Sequence, residues 1–500
     1  TRSMTRPIHR REFLALAGAA GASLALPSLL RGQATAKDKR PNVLFIAVDD
    51  LNDWIGCLGG HPDTLTPNLD RLAARGVLFT NAHCSAPACN PSRTALLSGR
   101  RPSSSGVYNN YQPMRVPMPD VQTLPQTFRK AGYYVSGGGK IFHGRFTDPQ
   151  SWDDYFDQPR DPRPPRKERP LRGYGKPRTN FDWGPIDVKD EEMGDAKVAA
   201  WAEKQLARRR DKPFFLGVGI YRPHLPWYVP KKYFDRFDRE KITLPNVKED
   251  DLDDVPQAGK KMARPHGDHQ GVTRHNQWRA AVHGYLACVN FADAMVGRVI
   301  DALDRSPHAD NTVIVLWGDH GWHLGEKLHW RKFALWEEAT HCPLMVVAPG
   351  VTRPNGQSPR TVSLQDIYPT LTSLCGIETP DHVEGHDLTG LLKNPEAQWD
   401  TPALITWLEG NHSVRSERWR YIRYSGGGEE LYDHEADPME WTNLAGEVKY
   451  AEAKRDLAAR LPDVDAPTAP TLTRKERRRW NKDKEALLKE MREEWGKRLD

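Results

Sequence analysis

Hydrophobic positions along the chain fall into short continuous runs, without the alternation of a half-exposed sheet. "NVLFIAV" (Asn42–Val48), "YYVS" (Tyr133–Ser136), "FFLGVGI" (Phe214–Ile220), "NTVIVLW" (Asn311–Trp317) and "CPLMVVAP" (Cys342–Pro349) are β-branched and apolar throughout. Runs of this kind are the mark of strands covered on both faces, as in a parallel sheet. Segments of helical period lie between them. "TPNLDRLAARG" offers Thr66 as N-cap, Pro67 at the first helical position, Asp70 as a capping-box partner and Gly76 as terminator. "HNQWRAAVHGYLACVNFADAMVGRVIDAL" (His275–Leu303) reads as one long amphipathic helix. Strands alternating with helices predict an α/β sandwich around a large, mostly parallel sheet.

The residues that follow these runs carry the chemistry. Asn42–Val48 ends in Asp49-Asp50, and Asn311–Trp317 ends in Gly318-Asp319-His320-Gly321. Tyr133–Ser136 passes through three glycines to Lys140 and His143, while Phe214–Ile220 leads to Arg222 and His224. Ligands of an open α/β sheet bind at the carboxyl ends of its strands, so these groups are expected to converge. Asp49, Asp50, Asp319 and His320 offer three carboxylates and an imidazole. That set suits a hard divalent cation, Ca²⁺ or Mg²⁺, better than zinc. Arg93, Lys140, His143, His224 and Lys332 at the same edge read as a pocket for a tetrahedral oxyanion, phosphate or sulfate.

Composition changes this picture little. Five hundred residues with 38% hydrophobic content, 16 Trp and 14 Phe suit a large domain plus an appendage. A net charge of +6, from 72 basic and 66 acidic residues, does not point to nucleic acid. The basic residues are uneven, however. Pro159–Arg178 is Pro-rich and cationic and reads as a solvated surface loop, with a contact surface for a polyanionic substrate as the alternative, and "TRKERRRWNKDKEALLKEMREEWGKRLD" reads as a solvated terminal helix. Near the start, Arg10-Arg11, an Ala/Gly-rich apolar stretch and "ATA" (Ala34–Ala36) read as a twin-arginine leader over residues 1–36. The leader predicts a bacterial protein that is periplasmic or secreted, with no integral membrane segment in its mature chain.

Cysteines occur at 57, 84, 89, 288, 342 and 375, with no CxxC pair and neither a zinc spacing nor a disulfide framework. Cys89 stands just before a predicted helix. A phosphatase loop with arginine six residues after cysteine is excluded, because those positions are Asn90 and Ala95. A Cys84–Cys89 disulfide stays open. A thiolate on a hard cation is chemically mismatched, which leaves an unmodified Cys89 unexplained.

"CNPSRTALLSGR" (Cys89–Arg100) resembles the sulfatase signature almost position for position, with Ser98 in the slot that takes Thr or Ser. The resemblance extends through "AVDDLNDWIGCLGGHPDTLTPNLDRLAARGVLFTNAHC", "SLQDIYPTLTSLCGI", "EGHDLTGLL" and "ERWRYIRYSGGGEELYDHEADPMEWTNLA", roughly residues 40–450. Asp319-His320-Gly321, "GKIFH", "YRPHLPW" and "GWHLGEKLHWRKF" resemble the iduronate-2-sulfatase branch of the formylglycine-dependent (type I) sulfatases.

The resemblance implies an alkaline-phosphatase-like catalytic domain over 37–398. A C-terminal subdomain over 399–500 would hold a short antiparallel sheet and the charged terminal helix. It implies that a formylglycine-generating enzyme oxidises Cys89 before folding, and that the hydrated aldehyde is the nucleophile. Asp49, Asp50, Asp319, His320 and the modified Cys89 would bind Ca²⁺. Arg93 would hold the diol, Lys140 and Lys332 the sulfate oxygens; His143 would assist sulfate release and His224 would protonate the leaving alcohol. The implied substrate is a sulfated saccharide, with a 2-O-sulfated uronate as one candidate and Trp322, His323 and His329 as contacts. Two rivals stand beside this reading: a phosphatase or phosphodiesterase of the same superfamily, and an inactive protein that binds sulfated glycans.

Overall fold

The computed structural model describes residues 40–165 and 180–497. The leader segment and residues 166–179 of the cationic loop lie outside the described residues. Eight strands form the main sheet: β1 (Asn42–Val48), β2 (Val77–Phe79), β3 (Tyr134–Gly139), β4 (Asp154–Phe156), β5 (Phe214–Ile220), β6 (Thr312–Gly318), β7 (Leu344–Val347) and β8 (Gly356–Ser358). Their order is β8-β2-β7-β6-β1-β5-β3-β4. Only β7 runs antiparallel to its neighbours, β2 and β6; every other pairing is parallel.

The unbroken apolar runs have a direct structural cause. On β1, Leu44, Ile46 and Val48 face one core while Val43, Phe45 and Ala47 face another, and none of the six is exposed. Helices α1 (Pro67–Ala73), α3 (Gly194–Leu206) and α4 (Trp278–Asp304) contribute to the first core; α2 (Cys89–Ser98) contributes Leu96 and Leu97 to the second. Helix α4 matches the predicted helix, starting three residues later and ending one later.

Two features of α1 differ from expectation. Thr66 makes no cap bond to the helix; its hydroxyl donates to Asp70 (3.2 Å) and accepts from the Gly56 amide (2.8 Å). The pair therefore anchors the preceding loop. Gly76 is required by closeness, since a Cβ there would sit 2.2 Å from the Val346 carbonyl oxygen of β7.

A second sheet is antiparallel and four-stranded: β9 (Ala403–Thr406), β10 (His412–Arg415), β11 (Trp419–Arg423) and β12 (Glu429–Asp433). It packs in the same compact unit as the main sheet, Asp38–Asp500. The last helix, α5 (Arg474–Lys497), is not the solvated tail that its composition suggests. Trp480 meets Phe146 edge-on at 6.0 Å, and Leu488 is buried in the core beneath the main sheet. Trp480, Lys484 and Leu488 recur at four-residue intervals, which puts them on one face of a helix that is otherwise charged.

Candidate active site

The carboxyl ends of β1 and β6 lie side by side, with Val48 paired to Gly318. This adjacency brings Asp49-Asp50 against Asp319-His320. The Asp50 amide donates to Asp319 Oδ1 (3.0 Å), and Asp50 adopts a left-handed φ of 59°. That conformation costs a non-glycine residue about 1–3 kcal/mol, and such strain concentrates at functional sites. Lys140 follows β3 through Gly139, whose φ is +79° and whose Cβ, if present, would lie 2.0 Å from the Gly219 carbonyl oxygen.

Cys89 is the first residue of α2, preceded by the extended Ala88. Its Sγ accepts from Lys332 Nζ (2.9 Å) and Lys140 Nζ (3.5 Å), and lies 3.5 Å from His320 Nε2. Neither Cys89 nor any other cysteine is in a disulfide, and Cys84 is a buried neighbour whose thiol points to the Ala339 carbonyl. Burial, reinforced by Asp49, pushes the Cys89 thiol far above the ordinary range. An unmodified side chain here is a neutral thiol.

Charge in the cluster is balanced locally. Asp49 binds Arg93 (3.2 Å) and Lys140; Asp319 binds Arg93 Nε (2.7 Å); Asp50 binds Lys332 (2.6 Å). Burial pushes Asp49 up to about 7 despite Lys140. Burial works the same way on Asp50, yet His224, Lys332 and His320 together hold it well below the usual carboxylate range. Asp319 is likewise held down against burial, by Arg93, His320 and Lys140. Lys140 and Lys332 resist burial through Asp49 and Asp50 respectively, and both stay charged.

Arg93, which the resemblance assigns to the diol, also braces the cluster. Every nitrogen is engaged, by Asp49, Asp319 and the carbonyls of Lys140 and Ile141, and the side chain is wholly buried. It braces the two carboxylates and the start of the Lys140 loop.

The imidazoles are oriented by backbone carbonyls. His320 Nδ1 donates to the Gly321 oxygen (2.9 Å), so its Nε2 lone pair faces Asp50 Oδ1 (3.3 Å) and Asp319 Oδ1 (3.5 Å). Burial holds His320 down to about 4. His224 Nδ1 donates to the Leu225 oxygen (2.6 Å), leaving Nε2 3.9 Å from Asp50 Oδ2. Burial also lowers His224 and His143 far below the ordinary histidine range.

These side chains fit a divalent cation. Donor atoms of Asp49, Cys89, Asp319 and His320 lie within 4.8 Å of one another. Asp50 Oδ2 is buried with no hydrogen-bond partner, and the His320 lone pair is aimed into the same cluster. Three carboxylates are already matched by Arg93, Lys140 and Lys332. A dication would leave excess positive charge to receive an anion.

Asp50, Lys140, His143, His224, Trp322 and Lys332 line one cavity of about 630 Å³. All the predicted catalytic and metal residues therefore meet, in this cavity or directly beneath it. Two suggested substrate contacts do not reach it, although His329 lines a neighbouring cleft. His323 is wholly buried between His329 and Trp336, and His329 sits behind Lys332, its ring nitrogens 2.7 Å from the Ala263 oxygen and 2.8 Å from the Lys332 oxygen. Sequence reasoning missed Tyr221, whose ring lies 5.2 Å from Lys140 Nζ, and Asn110, Arg331 and Lys484 at the cavity wall. Tyr221 and Arg331 adjoin motif residues and were findable; Lys484 carried no local signal.

Residues 41–377 match the sulfatase family model. The chain belongs to the sulfatase family. Residues 318–466 also match the C-terminal model of N-sulphoglucosamine sulphohydrolase. A sulfatase of Formosa agariphila is 40% identical over 447 residues, covering 85% of this chain and 87% of its own. Human iduronate 2-sulfatase is 32% identical over 395 residues, covering 70% of this chain and 71% of its own. Among solved structures, an enzyme bound to its substrate D-glucosamine-2-N,6-O-disulfate superposes with a TM-score of 0.68 at 20% identity. That superposition covers 84% of this chain and 96% of the other, and establishes the common alkaline-phosphatase-like fold. Family membership makes the chain a sulfuric ester hydrolase.

Proposed function

We propose that this sulfatase removes sulfate from sulfated sugars, with Cys89 acting after oxidation to formylglycine. The observation that carries the proposal is the placement of Cys89. It opens α2, within reach of two charged lysines and a carboxylate–imidazole cluster, yet burial keeps it a neutral thiol that is neither a good nucleophile nor a hard-cation ligand. The hydrated aldehyde supplies what the thiol lacks, an oxygen nucleophile with a second hydroxyl whose deprotonation expels sulfate. Asp49, Asp50, Asp319 and His320, with modified Cys89, would hold Ca²⁺, which when bound offsets charge on the sulfate oxygens.

The remaining work falls to the chain. Lys140 and Lys332 present fixed charges to two sulfate oxygens, and Cys89 at the N-terminus of α2 stands at the positive end of the helix dipole. Arg93 holds Asp49 and Asp319 in place. His224 has its Nδ1 proton committed to Leu225, so only Nε2 can serve the leaving alcohol. An entering sulfate ester brings negative charge that raises the proton affinity of Nε2. His143, with Nδ1 buried and unpaired, is available on the other side for the second hydroxyl.

A sugar substrate is supported by what adjoins the catalytic cavity. A cleft of about 980 Å³ shares Tyr111, Arg331 and Phe333 with it. Phe333 stacks on Trp407 at 5.1 Å, and Lys261 and Arg264 line the cleft as well. Aromatic faces beside cations suit an anionic carbohydrate longer than one unit. A 2-O-sulfated uronate is the first candidate, and twin-arginine export after conversion of Cys89 belongs to the same proposal.

Sulfate release should be measured across a 2-O-sulfated uronate and 4-O- and 6-O-sulfated galactose, with an aryl phosphate for comparison. Mass spectrometry of the Cys89 peptide should find the aldehyde in active protein. Activity in protein whose Cys89 is entirely thiol would sink the mechanism, and a preference for the phosphate would sink the substrate reading.

A further inference from the structure

Helix α5 lies beyond both matched family regions, which end at residues 377 and 466. It is nevertheless built into the mouth of the active site. Lys484 lines the same cavity as Lys140, His143, His224 and Lys332. Its side chain is only 15% exposed, and its Nζ rests 3.5 Å from Asp157 Oδ2 on the opposite wall. Trp480 against Phe146 and buried Leu488 fix the helix one turn to either side. A second cavity of about 480 Å³ opens between the helix and the loop that carries His143. Gly144, Arg145 and Lys484 belong to both cavities, so the two adjoin.

The second cavity is strongly cationic. Arg145, Arg474, Arg477, Arg478 and Lys484 face it, with Glu485 as the acidic side chain of its wall. Lys484 is paired with Asp157 and Arg145 lies over the Tyr111 ring, while Arg474, Arg477 and Arg478 are exposed on α5, where a guanidinium is well shaped for an oxyanion.

We infer that α5 forms a second anion subsite, through Lys484, Arg145, Arg477 and Arg478, for a further sulfate or carboxylate on the same sugar chain. The inference rests on the sulfated-sugar reading above and deepens it: the preferred substrate carries at least two anionic groups, one cleaved over Cys89 and one held by α5. Lys484 is then a specificity-determining residue that enters the site from outside the matched family regions.

The test is binding, measured without turnover. Full-length Cys89→Ala protein is titrated calorimetrically with a monosulfated disaccharide and with the same disaccharide bearing a second sulfate on the neighbouring ring. The doubly sulfated sugar is expected to bind at least tenfold tighter. Adding Lys484→Ala and Arg478→Ala should shrink that ratio to about threefold or less, and Lys484→Arg should restore it. Thermal unfolding of each variant checks that the helix still docks. An unchanged ratio in folded variants overturns the subsite, as does failure of either sugar to bind. Failure of the native protein to release sulfate from any sugar would overturn the functional reading alone, because the binding ratio does not depend on turnover.

Discussion

At the scale of single residues, the site is a closed exchange of charge. Arg93 has no exposed surface and serves two carboxylates at once. Removing one partner of a buried ion pair leaves an uncompensated charge, at a cost of about 3–5 kcal/mol. Arg93→Ala should lose stability of that order in denaturant unfolding and lower sulfate release by about a thousandfold or more, in keeping with disruption of a preorganised electrostatic site. Lys332→Ala should also lower activity sharply, but with a smaller effect on unfolding, because the side chain sits beside a cavity that water can enter. Measured together, the two variants separate bracing by Arg93 from the sulfate contact proposed for Lys332. Sequence brought both residues to this edge of the sheet but did not show which partners each binds. A motif preserves which residue types are present, whereas hydrogen-bond partners more than 200 positions away appear only once the chain is folded. His323 makes the same point in reverse: nothing local distinguishes a histidine that lines a cavity from one wedged between His329 and Trp336.

At the scale of elements, strand ends were legible because continuous apolar runs declare themselves and their carboxyl ends carry the polar groups. Loops were less so. The segment bearing Lys332 holds four non-glycine residues at positive φ: Lys327, Leu328, Arg331 and Phe333. No turn signature announces this; the surrounding packing imposes it, and the strain aims Lys332 at Cys89. The strand expected over Tyr133–Ser136 extends through the three glycines before Lys140, where Trp152 and Trp201 press against Gly137 and Gly138. Gly139→Ala is expected to cost more than about 2 kcal/mol in unfolding, since both the positive φ and the neighbouring carbonyl forbid a Cβ. Activity should fall further than stability alone explains, because Lys140 moves with the backbone. The terminal helix was misjudged for a related reason: a docking face of three residues is invisible in a segment dominated by charge.

At the scale of the whole molecule, buried histidines set the response to acid. Burial holds His320 and His269 down to about 4, against an ordinary value of 6.5, and lowers His83, His143, His224 and His323 as well. As pH falls below 6.5 the unfolded chain takes up protons that these imidazoles refuse, so the folded state loses ground down to about pH 4. Each such histidine contributes a slope of about 1.4 kcal/mol per pH unit within that window. Urea midpoints should therefore decline steadily from pH 7 to pH 5; a flat profile would contradict the burial of this group. The C-terminal sheet is tied in by charge of its own. Arg420 pairs with both Glu337 and Glu440, and His434 lies 3.0 Å from Glu440. Arg420→Ala should loosen the sheet and lower the unfolding midpoint without removing any group from the catalytic cavity.

The register of β1 also sets a clock. Its neighbour β6 begins at Thr312, so the central strand pair cannot close until Gly318 has been synthesised. During translation at about 5–20 residues per second, Cys89 precedes that moment by on the order of 10–50 s. If Cys89 is converted as proposed, long-range pairing holds open an interval in which the converting enzyme would reach a cysteine that the finished fold seals away. Protein allowed to fold first and then offered the enzyme should keep its thiol. The active fraction of a preparation would then record a race between the ribosome, the closing sheet and the oxidising enzyme.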